Sequence, residues 1–544
     1  MRFSWLFLLI LPMIFSLAKA ETVHHDLQVM LEPEQSYITV IDQLQFPEGS
    51  AEPKRFILHS SLSVEATGAR LKLVGESGQG HLRHYQLDSL SQNRKVRLIY
   101  RGKILDNQQR DLFGMPESVL SNEGVYLDGS SYWIPYFDHQ THITFNLPVT
   151  APQGWEIISQ GKRQIINNRF HYEMPLPQES IYLIGGLFKR YQQQLDDTEL
   201  EVYLLEDNKP LAEKYLQATA EYLHFYSELI GAYPFAKFAV VENRWQTGYG
   251  MPSFTLLGSK VIRLPFILHS SLPHEILHNW WGNGVYIDLK SGNWSEGLTA
   301  YMSDHLIQEE RGKGRIYRRN ALERYANFAA KERDFALSAF QSRHNETSQA
   351  VGYSKSLMLF HMLRNLSGEQ LFNQNIKNLW QRYQFQRVSF PDIIRQLFNG
   401  SDQEYKLFVN QWLNKPGAPI LSLGETHVSE SPSGYRLQME INQLQAGAPY
   451  VMQLPVDIQS AGEENQLRRI VTLAERRTLT TLDFEQRPQS ITLDPDYDVF
   501  RLLDSSEQPS SLGRLFGADK QLLVLPTKVS QEQKDAWQQL VKMW

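Results

Sequence analysis

The stretch LPHEILHNWWGNGVYIDLKSGNWSEGLTAYMSD, Leu272 to Asp304, decides how the rest of the chain is read. His274 and His278 stand four residues apart within it. On a helix that spacing puts two imidazoles on one face, about 6 Å apart along the axis, where they can chelate one tetrahedral Zn²⁺. Glu275 lies between them, within reach of a water on such a metal. Pro273 fits the first turn of a helix, where a missing N–H costs nothing. Glu296 follows on a second predicted helix and offers the carboxylate that completes a His₂Glu set. Asp288 competes for the third position from a strand-like loop without helix support. An HExxH pattern also occurs in ordinary amphipathic helices, so its surroundings matter. A strand-like FAVVENRW and a Gly-rich QTGYGMPSF precede it, where an edge for a substrate backbone is needed.

Upstream, segments such as HDLQVMLEP, SYITVIDQLQF, KVRLIYRGKIL and HITFNLPVTAP alternate apolar and polar residues between Gly and Pro breaks. They predict an antiparallel β domain over 21–195. Helical spacing takes over in KPLAEKYLQATAEYLHFYSELIG, which ends at Gly231, and in SKSLMLFHMLRNLSG and FPDIIRQLFNG. This predicts an α+β catalytic domain over 196–415. Alternation returns in YRLQMEINQL, YVMQLPVDIQ and SITLDPDYDVFRLL, a small β-sandwich over 416–504. The tail, 505–544, reads as one strand and one amphipathic helix. These either dock on the sandwich or begin a further domain.

The chain has 544 residues, enough for several cores, with ordinary hydrophobic and charged fractions and a net charge of -6. That balance gives no basic excess for nucleic acid and no acidic solvating block. Arg2, an apolar run over Leu6–Leu17 and Ala18-Lys19-Ala20 predict a secretory signal over 1–20, hence a periplasmic or secreted protein; an uncleaved anchor is the alternative. No later apolar run reaches the roughly 18 residues of a membrane span. With no cysteine, disulfides, thiolate metal sites and cysteine nucleophiles are excluded, and any metal must be held by His, Asp or Glu.

HEILHNWWGNGV followed by NWSEGLTAY resembles the active-site block of the aminopeptidase N family of gluzincin metallopeptidases, which includes leukotriene hydrolase. WIPYFDHQTHITFNLPVTAPQGWEIISQG is similar to the end of that family's N-terminal β domain, and SITLDPDYDVF to the end of its small β-sandwich. YSKSLMLFHML resembles the stretch bearing its transition-state tyrosine. The resemblance implies a thermolysin-like catalytic domain and one zinc ion per chain on His274, His278 and Glu296. It also implies Glu275 as base, Tyr353 as oxyanion donor and a peptide substrate.

Two departures qualify it. Asn279 to Ser295 makes seventeen residues between His278 and Glu296, one fewer than the family spacing, which a loop deletion can absorb. Family exopeptidases also carry a Gly-x-Met-Glu-Asn loop whose glutamate binds the substrate's amine. Here Gly248, Gly250 and Met251 are followed by Pro252 and Ser253, so the glycines and Met251 can present backbone but the carboxylate is gone. Glu123, in NEGVYLDGSSYW, is the alternative acidic anchor or else a solvated loop residue. An aminopeptidase-like reading therefore stands beside three others: an endopeptidase or hydrolase of N-blocked peptides, a hydrolase of a non-peptide substrate, and a zinc-retaining binding module. Away from the site, His361 is expected in a core, His269 and His305 at the surface, and Trp280 and Trp281 in packing. EERGKGRIYRR is expected to be a solvated helix and turn.

Overall fold

The structure, a computed structural model, describes residues 22–104, 116, 118–138, 141–246, 248–330, 333–432, 434–462, 466–516, 518, 520, 522 and 524–543. The predicted signal over 1–20 lies outside them. The chain divides into two compact units, one running to Tyr286 and including Trp380–Arg387, the other comprising Ile287–Leu379 and Val388 onward.

In the first unit, burial alternates residue by residue along Thr22–Glu32 and Lys95–Lys103. That is what a period-two sequence gives when one sheet face is packed. These strands belong to a seven-stranded sheet ordered Lys162–Ile166, Arg169–Gln178, His142–Thr150, Thr22–Glu32, Tyr37–Gln45, Lys95–Lys103, Ser63–Thr67. It is antiparallel except that Thr22–Glu32 runs parallel to His142–Thr150. A hairpin cannot join a parallel pair, and the chain between these two forms other strands first.

A second sheet orders Lys189–Leu195, Thr198–Leu204, Lys237–Asn243, Phe254–Gly258 and Gly248–Met251. Its first strand lies ahead of position 196, because Lys189–Leu195 and Thr198–Leu204 form one antiparallel hairpin. Lys237–Asn243 and Phe254–Gly258 are buried at every residue and pair in parallel, as a near-continuous apolar run requires. The helix Lys209–Leu229 makes the crossover between Thr198–Leu204 and Lys237–Asn243; Asn208 caps it by accepting from the Leu211 N–H. The Gly-rich stretch supplies the expected edge: Gly248–Met251 is an edge strand, antiparallel to Phe254–Gly258.

In the second unit, helices include Trp294–Ala300, Gly314–Phe328, Ser356–Ser367, Phe390–Leu397 and Asp402–Phe408. Two three-stranded sheets follow, one of Leu421–Ser431, Gly434–Gln443 and Arg477–Phe484, the other of Leu467–Leu473, Met452–Ser460 and Pro488–Leu493. EERGKGRIYRR is only partly solvated. Arg318 is buried, donates to the Asp496 carbonyl at 2.9 Å and pairs with Asp498 at 3.2 Å, while Glu309 pairs with Arg318 and Arg364. His361 is buried and bonded to Asp498 at 2.9 Å. His305, expected at the surface, is fully buried, stacked on Tyr301 and contacted by Arg318. Burial, with His361 and Arg318 alongside, pushes its imidazole far below the usual range, so it sits there neutral.

The tail forms helices Leu512–Phe516 and Gln531–Met543. The strand expected near 520–526 is absent from the described residues there. Leu522 and Val524 stand exposed, and a strand with no partner leaves its backbone groups unpaired. Among the described residues no helix is long and apolar enough to cross a membrane.

Candidate metal centre

His274 lies in the helix Ser271–Leu277, and His278 is its C-cap. Their ring centroids are 4.9 Å apart and the rings nearly perpendicular. His278 Nδ1 is 3.0 Å from the Trp281 carbonyl. A carbonyl can only accept, so Nδ1 carries the proton and Nε2 is left as the nitrogen able to ligate a metal. Trp281 and Trp280 are fully buried, as expected. Trp280 donates to the Gly231 carbonyl at 3.0 Å and packs on Tyr226, Tyr233 and Trp380. Each such ring contact contributes about 0.5–1.5 kcal/mol beyond its burial, which ties the short helix to the first unit's core.

Glu275 is only 8 % exposed, beneath the edge strand. A Cβ on Gly250 would stand 3.0 Å from Glu275 Oε2 and 2.9 Å from His278 Cβ; one on Gly248 would stand 3.2 Å from Glu275 Oε1. The strand lies this close because two of its four residues have no side chain. Asn283 donates to the Gly250 carbonyl at 3.1 Å. Asn279 accepts from the Ser253 N–H at 2.8 Å and donates to the Ile276 carbonyl at 2.8 Å, coupling the hairpin turn to the helix end. Ser253, at φ 66°, is fully buried, and its hydroxyl lies 3.2 Å from Lys237 Nζ and 3.3 Å from the Gly161 N–H. Met251 packs into a cluster with Tyr126, Ile158, Val241 and Phe254, which leaves its backbone at the edge.

Glu296 is in the first turn of Trp294–Ala300, which Asn293 caps by accepting from the Ser295 N–H. Trp294 donates to the Val388 carbonyl at 3.0 Å. The next residue, Gly297, faces Ser356 so closely that a Cβ would fall 1.8 Å from its Oγ. Tyr353 lies in a π-helical turn, Ala350–Lys355, rather than opening an α-helix. Its ring meets Phe340 edge-on at 6.2 Å, and Gly352 fits against that same Phe340.

Among the described residues, His274, His278 and Glu296 form a group able to hold a metal ion, with one ligand atom from each within 4.8 Å of the others. Two imidazoles and a carboxylate make the donor set of a zinc site with an open fourth position. Asp288 is not in that group; its side chain accepts from the Lys290 N–H and caps a short 3₁₀ turn. Glu123 is exposed in the tight turn between Val119–Ser121 and Gly124–Leu127, beside Trp245 and Arg244. His269 is exposed, 3.4 Å from the Tyr222 hydroxyl. Sequence reasoning missed Asn279, Asn283, Lys237 and Gly297; the first and last adjoin ligands, which was the available signal.

Residues 268–412 match the peptidase family M1 domain. The chain is similar to the mitochondrial Aminopeptidase 2 of Saccharomyces cerevisiae, 22% identical over 298 residues, covering 50% of this chain and 30% of that protein. It is 23% identical to human Aminopeptidase RNPEPL1 over 375 residues, 62% of this chain and 50% of that one. With the Aminopeptidase N of Lactococcus lactis it shares 25% over 158 residues, 27% of this chain and 19% of the relative. The chain thus spans half or less of the length of these relatives. The matched stretch encloses His274, His278, Glu296 and Tyr353, and over it the chain is similar to the peptidases of family M1.

Proposed function

We propose that the protein is a zinc-dependent peptidase of aminopeptidase-like type, exported to the periplasm or beyond on its first twenty residues. The observation that carries this reading is the His274, His278 and Glu296 group with the Glu275 carboxylate held under an edge strand. Zinc on these residues would supply Lewis acidity and an acidified water. Glu275 takes the proton of the attacking water and passes it to the departing amine. The Tyr353 hydroxyl donates to the developing oxyanion, a bond strongest in the transition state. Gly248–Met251 offers backbone N–H and C=O groups to an extended peptide.

A second reading concerns which peptides enter. Pro252 and Ser253 occupy the positions where amine-binding residues are expected, and both are buried, with the serine hydroxyl turned inward to Lys237 and Gly161. Nothing at those two positions can neutralise an ammonium. Glu123 is the remaining candidate anchor. We therefore propose that N-blocked or internal peptide bonds are cleaved as well as free N-termini.

The test is peptide hydrolysis by the zinc-loaded chain and by Glu275→Gln, with bound zinc measured in both. The expected result is retained zinc and a fall in kcat of at least about 100-fold. Full activity in Glu275→Gln would overturn the mechanism.

A further inference from the structure

A cavity of about 220 Å³ opens in the second unit with Tyr353 in its wall. Ala300, one turn beyond Glu296 on the same helix, also lines it. Much of the remaining lining is donor chemistry: the Arg324 guanidinium and the amides of Asn320 and Gln349. Arg324 and Asn320 are exposed and Gln349 half-buried. Among the described residues none of the three side chains has a hydrogen-bond or ion-pair partner, though the Arg324 charge lies near enough to act on Tyr317. One acid, Asp304, shares the cavity, but its carboxylate is already engaged. It accepts from the Ser303 hydroxyl at 3.1 Å and from Tyr317, whose hydroxyl burial pushes above its usual range.

Donors without a hydrogen-bond or ion-pair partner among the described residues, round one cavity whose acid is engaged by Ser303 and Tyr317, match an anion with two acceptor oxygens. Arg binds such a group bidentately. We infer that this cavity is a carboxylate subsite, in which Arg324, with Asn320 and Gln349, holds a carboxylate carried by the peptide substrate. The inference rests on the peptidase reading, in which Tyr353, in the wall of this cavity, is the oxyanion donor. The carboxylate is either the C-terminus of a short peptide or an Asp or Glu side chain, and both present the same planar pair of oxygens.

The experiment compares wild type, Arg324→Gln and Arg324→Lys on matched peptides. One pair differs as C-terminal acid against amide, the other as internal Asp against Asn. In Arg324→Gln the preference for the carboxylate member, as a ratio of kcat/KM, is expected to fall about tenfold or more, mostly through KM; Lys restores part of it. The pair that responds identifies the carboxylate's source. Calorimetric binding of the same peptides to zinc-loaded Glu275→Gln gives a readout without turnover, where the carboxylate member is expected to bind more tightly. Equal binding of both members, or an unchanged preference in Arg324→Gln, would overturn the subsite. A wild type that binds the acid member selectively yet cleaves nothing would instead remove the peptidase reading.

Discussion

Gly250 sets a tight tolerance beside the Glu275 carboxylate. A methyl there meets Glu275 Oε2, the Glu275 carbonyl and His278 Cβ at 2.9–3.0 Å, so either the strand retreats or the carboxylate turns. Gly250→Ala is expected to cut kcat about 10–100-fold while lowering stability by only about 1–3 kcal/mol, measured by kinetics beside thermal unfolding. Wild-type kcat in that variant would show that the carboxylate needs no such packing. Tyr353→Phe removes one hydroxyl and keeps the ring contact with Phe340. It is expected to lower kcat by about 100-fold or more with KM nearly unchanged, and an equal rise in KM would argue for ground-state binding instead. The spacing of His274, Glu275 and His278 was legible because helix geometry converts spacing directly into position. Gly250 was visible as a glycine, but not the carboxylate it accommodates, since that contact is tertiary. His305 was misread for a related reason: a polar residue in a mixed-charge region reads as solvated until Arg318 and His361 are seen folded against it.

The hairpin Gly248–Gly258 works as one element with the helix end it is tied to. Lys237 anchors its turn from inside, donating to the Ser253 carbonyl at 3.3 Å and lying over the Phe254 ring. Burial pulls its ammonium down to about 8, against the nearby Glu201, which favours the charged form. Below about pH 8 the folded and unfolded chains both keep that proton, whereas between about 8 and 10.5 only the unfolded chain does. The unfolded state then binds more protons, so this site's contribution to stability rises with pH across that window, by at most about 3 kcal/mol. Urea midpoints of wild type and Lys237→Met should therefore diverge in favour of wild type between pH 7.5 and pH 10; a constant difference would mean the amine titrates normally. Long strands and helices were readable from periodicity. The Gly-rich stretch is read from the sequence as an edge for a substrate backbone, but two glycines in four residues erase the alternation that would set its bounds, which the pairing with Phe254–Gly258 supplies. The π-helical turn at Tyr353 has no sequence period to announce it. The tail shows the converse: it reads as a strand and a helix, but among the described residues only helices form there.

For the molecule as a whole, the cores are built without the candidate metal ligands. The seven-stranded sheet of the first unit buries Val23, Leu27, Val40, Leu98 and Phe145 independently of any ligand. Exhaustive chelation is expected to abolish hydrolysis and leave the far-ultraviolet circular dichroism unchanged, with activity restored by zinc; loss of the dichroism would make the metal structural. Acetylated peptides are expected to be cleaved within about tenfold of their free-amine counterparts, because Pro252 and Ser253 carry no charge to reward an ammonium. The central claim, that His274, His278 and Glu296 hold one catalytic zinc, is tested most directly by anomalous diffraction across the zinc edge from crystals of the zinc-loaded chain. The expected result is a single peak bounded by the two imidazoles and the Glu296 carboxylate. A peak held by other residues, Asp288 among them, or none among these three, would contradict it.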